Sequence, residues 1–280
     1  MLSFHLLSLL SVVLLPLTLY AYDETDAIRN VHIAGMSYCS TDQIESGDNN
    51  HYQSINDFEV GQVWSNSSLQ FVTGYDGTEN TVTLAVRGSE DIDNWLDNLD
   101  AIKTSPYDDD SSVEVHKGFW KEYTTLRDSM ISYILTEAEK HSTSKLKLTG
   151  HSSGAANVML LAYDVARGQA EGLEDFQVSD LYTFGEPRVG NTAFADAVKS
   201  LAIPHTRVVH YRDIVPHVPP HLMGFHHSPQ EIWYDTEDSS HYVECSETDG
   251  EDDSCSKSEW YLTASDHCTY IDLAICSAGC

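Results

Sequence analysis

Residues 145–168 read KLKLTGHSSGAANVMLLAYDVARG, and this stretch decides the fold. Leu146 and Leu148 alternate with Lys145 and Lys147, the period-two pattern of a short strand. The Ala, Leu, Met and Val run that follows stops at Arg167-Gly168 and reads as a buried helix. Between them Gly150-His151-Ser152-Ser153-Gly154 matches Gly-x-Ser-x-Gly in the strand–turn–helix context of a nucleophile elbow. Gly150 and Gly154 let strand and helix pass closely. The amide of Ser153, at the helix N-terminus, points to where a tetrahedral oxyanion would form.

A serine hydroxyl needs a base to become a nucleophile, and the base needs an orienting acid. In α/β-hydrolases both follow the serine along the chain, which removes Asp91 and His116. Asp213 comes just past a strand centred on Val208-Val209-His210-Tyr211, where a sheet presents catalytic side chains. Asp180, Asp196 and Asp235 fall inside elements or in acidic loops. Among the histidines after Ser152, His267 lies late, in a loop before an apolar C-terminal segment, and suits the last triad member. Asp266 is its neighbour, and adjacent loop side chains diverge, so Asp266 is not the orienting acid. His217, His221, His226 and His227 cluster, but their spacings match no standard metal pattern and no cysteine is interleaved. Neither metal nor cofactor is expected.

The chain of 280 residues is long enough for one large α/β domain. Residues 1–21 are apolar, without Asp, Glu, Lys or Arg, and read as a secretory signal cut after Ala21, which leaves 22–280 as a single domain. A membrane anchor is the rival reading, disfavoured because no basic stop-transfer flank follows. Six cysteines fit an oxidising compartment, and Asn66-Ser67-Ser68 is a glycosylation sequon. The protein is therefore expected outside the cell. Its net charge of −29 argues against nucleic acid, which demands a basic patch, and against anionic lipid surfaces.

In chain order, a helix is expected from Asp23 to Tyr38 and a polar loop to Asp57. A hairpin of two strands, Leu69–Tyr75 and Thr81–Val86, turns through Asp76-Gly77. Ile92, Trp95, Leu96 and Leu99 then fall at helical spacing within an acidic segment. That pattern fits an ordinary docked helix or a mobile lid with an apolar face. Helices follow at Gly118–His141 and Thr192–Ser200, with strands at Gln177–Phe184 and Thr206–Tyr211. Such alternation implies a mostly parallel sheet.

Several motifs in one order identify a relation. Val86-Arg87-Gly88-Ser89, Asn94-Trp95, His116-Lys117-Gly118-Phe119, Gly150-His151-Ser152, the run Tyr182 to Asn191, Asp213-Ile214-Val215-Pro216, Pro219-Pro220 and Asp266-His267 resemble the secreted fungal-type class 3 lipases, related to feruloyl esterases. The likeness runs from about Ala34 to Cys276. It implies the α/β-hydrolase fold with a short helical lid and a triad of Ser152, Asp213 and His267. It also implies that Ser89 is the second oxyanion donor beside Ser153, and that Ile92, Trp95 and Leu96 belong to the lid. The family usually has Leu-Gly-Gly after the serine, where this chain has Ser153-Gly154-Ala155, a more polar acyl-binding wall. By resemblance Cys245 pairs with Cys255, and Cys39 is expected to reach Cys276 or Cys280, with Cys268 taking the remainder. The function implied is hydrolysis of acylglycerol esters through an acyl-enzyme, by a monomer at an oil–water interface without stable membrane insertion. Feruloyl-type or other soluble-ester hydrolysis, and phospholipase A1 activity, are the alternatives.

Overall fold

Leu146 and Leu148 pack on one face of an eight-stranded sheet, and Lys147 is buried on the other. The computed structural model describes residues 22–55, 57–246, 248–276 and 279–280; the expected signal segment, 1–21, lies outside them. Helices α1 (Glu24–Met36), α2 (Thr41–Ser46) and α3 (Asn50–Gln53) precede β1 (Phe58–Ser65), β2 (Gln70–Asp76) and β3 (Thr81–Val86). Then come α4 (Ile92–Asn98), the short β4 (Lys103–Thr104) and β5 (Val115–His116), and the long α5 (Lys117–His141). Next are β6 (Lys145–His151), α6 (Ser153–Ala166), β7 (Gln177–Phe184), α7 (Thr192–Ser200) and β8 (His205–His210). The chain closes with β9 (Glu231–Tyr234), β10 (Tyr242–Glu244), β11 (Thr269–Tyr270) and β12 (Leu273–Ala274).

The sheet order is β1-β2-β3-β6-β7-β8-β9-β10. Pairing is antiparallel at both ends and parallel from β3 through β9. Helices cover both faces, as a parallel sheet requires. Phe71, Leu84, Leu146 and Leu148 pack against Tyr123, Met130, Ile134 and the apolar length of α6. On the opposite face Ala27, Val31 and Ala34 of α1 meet Tyr182, Phe184 and Val208. That second cover explains Lys147. It lies buried with its ammonium 2.6 Å from Glu79.

Two further differences from the sequence reading concern short elements. Residues 41–53 are not loop but α2 and α3. Helix α2 carries a capping box in which Ser40 and Gln43 satisfy each other's backbone amides. Strands β1, β9 and β10 also went unassigned. β1 has polar residues along it and a pairing irregularity between Val60 and Val63, so it shows no clean alternation. Asn66 of the sequon is exposed on the turn from β1 to β2.

Three disulfides fix the periphery: Cys39–Cys280, Cys245–Cys255 and Cys268–Cys276. The first joins residues 241 apart and ties the C-terminus to the end of α1. Closing so long a loop restricts the unfolded chain most, and such bonds typically contribute about 2–5 kcal/mol. Replacing Cys39 and Cys280 together by alanine is expected to lower unfolding free energy by that amount, read by urea titration under oxidising conditions.

Candidate active site

Ser152 sits between β6 and α6 with φ 60° and ψ −132°, a region that L-residues rarely enter. Its amide donates to the carbonyl of Phe184 on the neighbouring strand at 2.9 Å, which pins the turn. The close crossing behind it needs Gly154, since a Cβ there would lie 2.1 Å from the carbonyl oxygen of Val86. Ser153 opens α6, so its amide is among the four that an α-helix leaves without an intrahelical partner.

Asp213 lies three residues past β8, in a turn stitched to the 260s. Ile214 donates to the carbonyl of Thr263 at 3.1 Å, and Thr263 to that of Arg212 at 2.8 Å. His267 is carried by a single 3-10 turn, Ser265–Cys268, immediately before the hairpin β11–β12 that Cys268–Cys276 staples. These two turns bring the imidazole Nδ1 to 2.8 Å from Asp213 Oδ2. The same carboxylate oxygen accepts from the hydroxyl of Tyr270, and Oδ1 accepts from the amide of Val215 at 2.8 Å. Burial pushes the Asp213 carboxyl up, but the adjacent His267 and these hydrogen bonds outweigh it and hold the group below its ordinary range. Asp213 is therefore an anion, and His267 Nδ1–H must be the donor. That tautomer leaves the lone pair of Nε2 free.

Two buried polar atoms at this corner have no hydrogen-bond partner among the described residues: Ser152 Oγ and His267 Nε2. The His267 ring packs against that of His151, the residue before the serine, with centroids 4.2 Å apart. A small cavity of about 100 Å³ opens beside His267 and is bounded by Tyr38, Ser89, Glu90 and Ile92.

Ile92 of that boundary is the first residue of α4. Asp91 caps it by accepting from the Asn94 amide at 3.1 Å. Ile92, Trp95, Leu96 and Leu99 are half-buried, whereas Asp93, Asn94, Asp97 and Asn98 are exposed, so its apolar stripe faces the protein. Trp95 stacks on Phe119 with centroids 6.1 Å apart. Beside it a cavity of about 470 Å³ is lined by Ser89, Trp95 and Phe119, and also by Glu90, Asp91, Asp100 and Glu122. Burial raises the Glu122 carboxyl above its usual range, partly offset by the amide of Asn157.

Four other histidines have partners of their own. His116 caps α5 and bonds the carbonyl of Asp100 at 2.6 Å through Nε2. His227 bonds the carbonyl of Pro216 at 2.8 Å, and His221 meets His226 at 3.2 Å. Among the described residues one trio brings ligand atoms together, Glu231, Cys245 and Cys255, and its two sulfurs form a disulfide. Sequence reasoning missed Tyr38, His151 and Tyr270 as participants. Tyr270, three residues after His267, was visible as a nearby polar aromatic; Tyr38 carried no signal, since its partners are brought to it only by folding.

Comparison with known proteins places these features in context. The family model for Lipase (class 3) matches residues 83–223. A lipase of Rhizomucor miehei is 34% identical over 232 residues, covering 81% of this chain and 63% of that protein. A solved Rhizomucor miehei lipase–propeptide complex superposes with a TM-score of 0.79 at 31% identity, over 90% of this chain and 81% of that one. The secreted mono- and diacylglycerol lipase A of Penicillium cyclopium is 32% identical over 177 residues, 62% of this chain and 55% of that protein. A solved triacylglycerol lipase whose catalytic centre is a serine protease triad matches with TM-score 0.77 and 30% identity, over 90% of this chain and 96% of that one. The chain thus spans somewhat over half the length of these two curated relatives.

The Tyr270 hydroxyl stabilises the ionised form of Asp213, so its removal raises that carboxyl toward its unfolded value. A depressed carboxylate stabilises the fold above its unfolded pKa, and that contribution is lost as pH falls through the folded value. Tyr270→Phe is expected to cost about 1.5–3 kcal/mol at neutral pH, the usual range for a hydrogen bond to a charged group. Its acid unfolding is expected to begin at higher pH than in the wild type. Urea titrations at several pH values between neutrality and acid check both.

Proposed function

Because the chain belongs to the class 3 lipase family, we propose that it is a secreted serine lipase hydrolysing the carboxylic esters of acylglycerols. Ser152 is the nucleophile, His267 the base and acid, and Asp213 the group that orients it. The observation that carries this reading is the pair of buried, unpartnered atoms, Ser152 Oγ and His267 Nε2, in a corner where Asp213 is otherwise saturated with donors.

In the reaction His267 Nε2 takes the Ser152 proton as Oγ bonds to the acyl carbon. The carbonyl oxygen becomes an oxyanion held by the amides of Ser89 and Ser153, each typically contributing about 3 kcal/mol. Collapse of that intermediate breaks the ester C–O bond, and the imidazolium protonates the leaving alcohol. Water then repeats the sequence on the acyl-enzyme and releases the acid. Throughout, Asp213 stabilises the imidazolium without taking its proton.

Helix α4 is the lid of this enzyme. Ser152 is fully buried, Ile92 borders the cavity beside His267, and an oil surface would accept Ile92, Trp95 and Leu96 once the helix moved aside. Exposed Leu222 (98%) and Trp260 (91%) give further apolar contact with such a surface. The partner is thus a lipid droplet met by a single-domain monomer. The acidic lining of the larger cavity disfavours anionic phospholipids. Secretion is supported by the three disulfides and by the Penicillium relative, which is a secreted enzyme.

Hydrolysis of a short triglyceride, followed through its solubility limit, tests the lid: a jump in rate as droplets form is expected, and smooth saturation below the limit would make the protein a soluble esterase. Ser152→Ala is expected to abolish turnover while leaving the unfolding midpoint nearly unchanged. Retained esterase activity in that variant would sink the nucleophile assignment.

A further inference from the structure

We propose that Tyr38 and His151 form a positioning relay, three hydrogen bonds long, that sets the oxyanion loop and the general base relative to one another across Ser152. The inference rests on the roles given above to Ser89 and His267.

The relay joins four segments far apart in sequence. The amide of Gly88, next to Ser89, donates to Tyr38 Oη at 3.1 Å. Tyr38 Oη lies 2.6 Å from His151 Nδ1, and His151 Nε2 lies 2.8 Å from the main-chain carbonyl of His267. The directions follow from the end groups. A carbonyl oxygen only accepts, so His151 Nε2 carries a proton. Burial, and secondarily the charge of His267, hold His151 far below its ordinary range, so the ring is neutral and Nδ1 is an acceptor. Tyr38 must then donate to Nδ1, and its oxygen is left to accept from Gly88. Each member has one arrangement available.

Packing enforces the same geometry. Tyr38 and His151 are buried, and a Cβ on residue 88 would stand 2.5 Å from Tyr38 Oη and 2.6 Å from Ser152 Cβ. The loop before Ser89 therefore rests directly on both the tyrosine and the nucleophile. The His151 ring in turn packs against that of His267, tilted by 32°. A neutral ring suits this place, because His267 becomes an imidazolium during the reaction and a second cation beside it would be repelled. Displacements of about 1 Å at reacting groups can cost on the order of 100-fold in rate, so the bonds act on turnover without touching substrate.

The test compares full-length wild type with Tyr38→Phe and His151→Asn on a soluble short-chain ester below its solubility limit. The phenylalanine keeps the ring and loses both hydroxyl bonds. The asparagine offers an oxygen near the place of Nδ1 and gives up the bond to the His267 carbonyl. Each is expected to lower kcat about tenfold to 100-fold with KM within about twofold, while circular dichroism and the unfolding midpoint show a folded protein. A kcat reduced less than about fivefold in a folded variant overturns the relay, whatever KM does. Should one variant fail to fold, the other decides on the same criterion. Ser152→Ala in parallel separates the two levels: activity surviving there means the triad reading has failed, whereas an inactive Ser152→Ala beside a fully active Tyr38→Phe means only the relay has.

Discussion

The backbone of Ser152 is the constraint on which the rest depends. A non-glycine residue at φ 60° and ψ −132° is strained, at a cost on the order of 1–3 kcal/mol. It persists because β6 before it and α6 after it are both locked into the core. Leu146 and Leu148 are buried on one side, and the whole of α6 from Ser153 to Val165 is buried on the other. Gly154 lets α6 approach the end of β3, and the Phe184 carbonyl holds the serine amide. The sheet and helices are thus the means by which one unfavourable turn is kept and one hydroxyl is held at a sheet edge.

Charge is handled by the same logic of full satisfaction. Asp213 has no solvent contact, and an unpaired buried carboxylate would take up a proton. Donors from His267, Tyr270 and Val215 keep it ionised, and the ion in turn fixes the imidazole tautomer. Beside it, Ser152 Oγ and His267 Nε2 stay without a hydrogen-bond partner among the described residues.

The surface works differently. A net charge of −29 keeps the chain soluble, while α4 offers acidic side chains to water and an apolar stripe to the protein. No residue of α4 is fully buried, so few apolar contacts hold it in place.

Local features can be read along the chain. The elbow, the long helices, the parallel alternation and the amphipathic α4 were legible because a period or a five-residue pattern encodes each of them. The order of motifs also singled out Asp213 and His267, which the fold brings to hydrogen-bond distance. Features that depend on distant segments meeting came from folding. It buried Lys147 beneath a helix from the N-terminus, chose Cys280 as the partner of Cys39, and set Tyr38 beside His151. Strands β9 and β10 fall in the same class, since short strands take their identity from the neighbour they pair with. A period can be read along a chain. Contacts between residues more than 100 positions apart cannot, because they exist only once the core has closed.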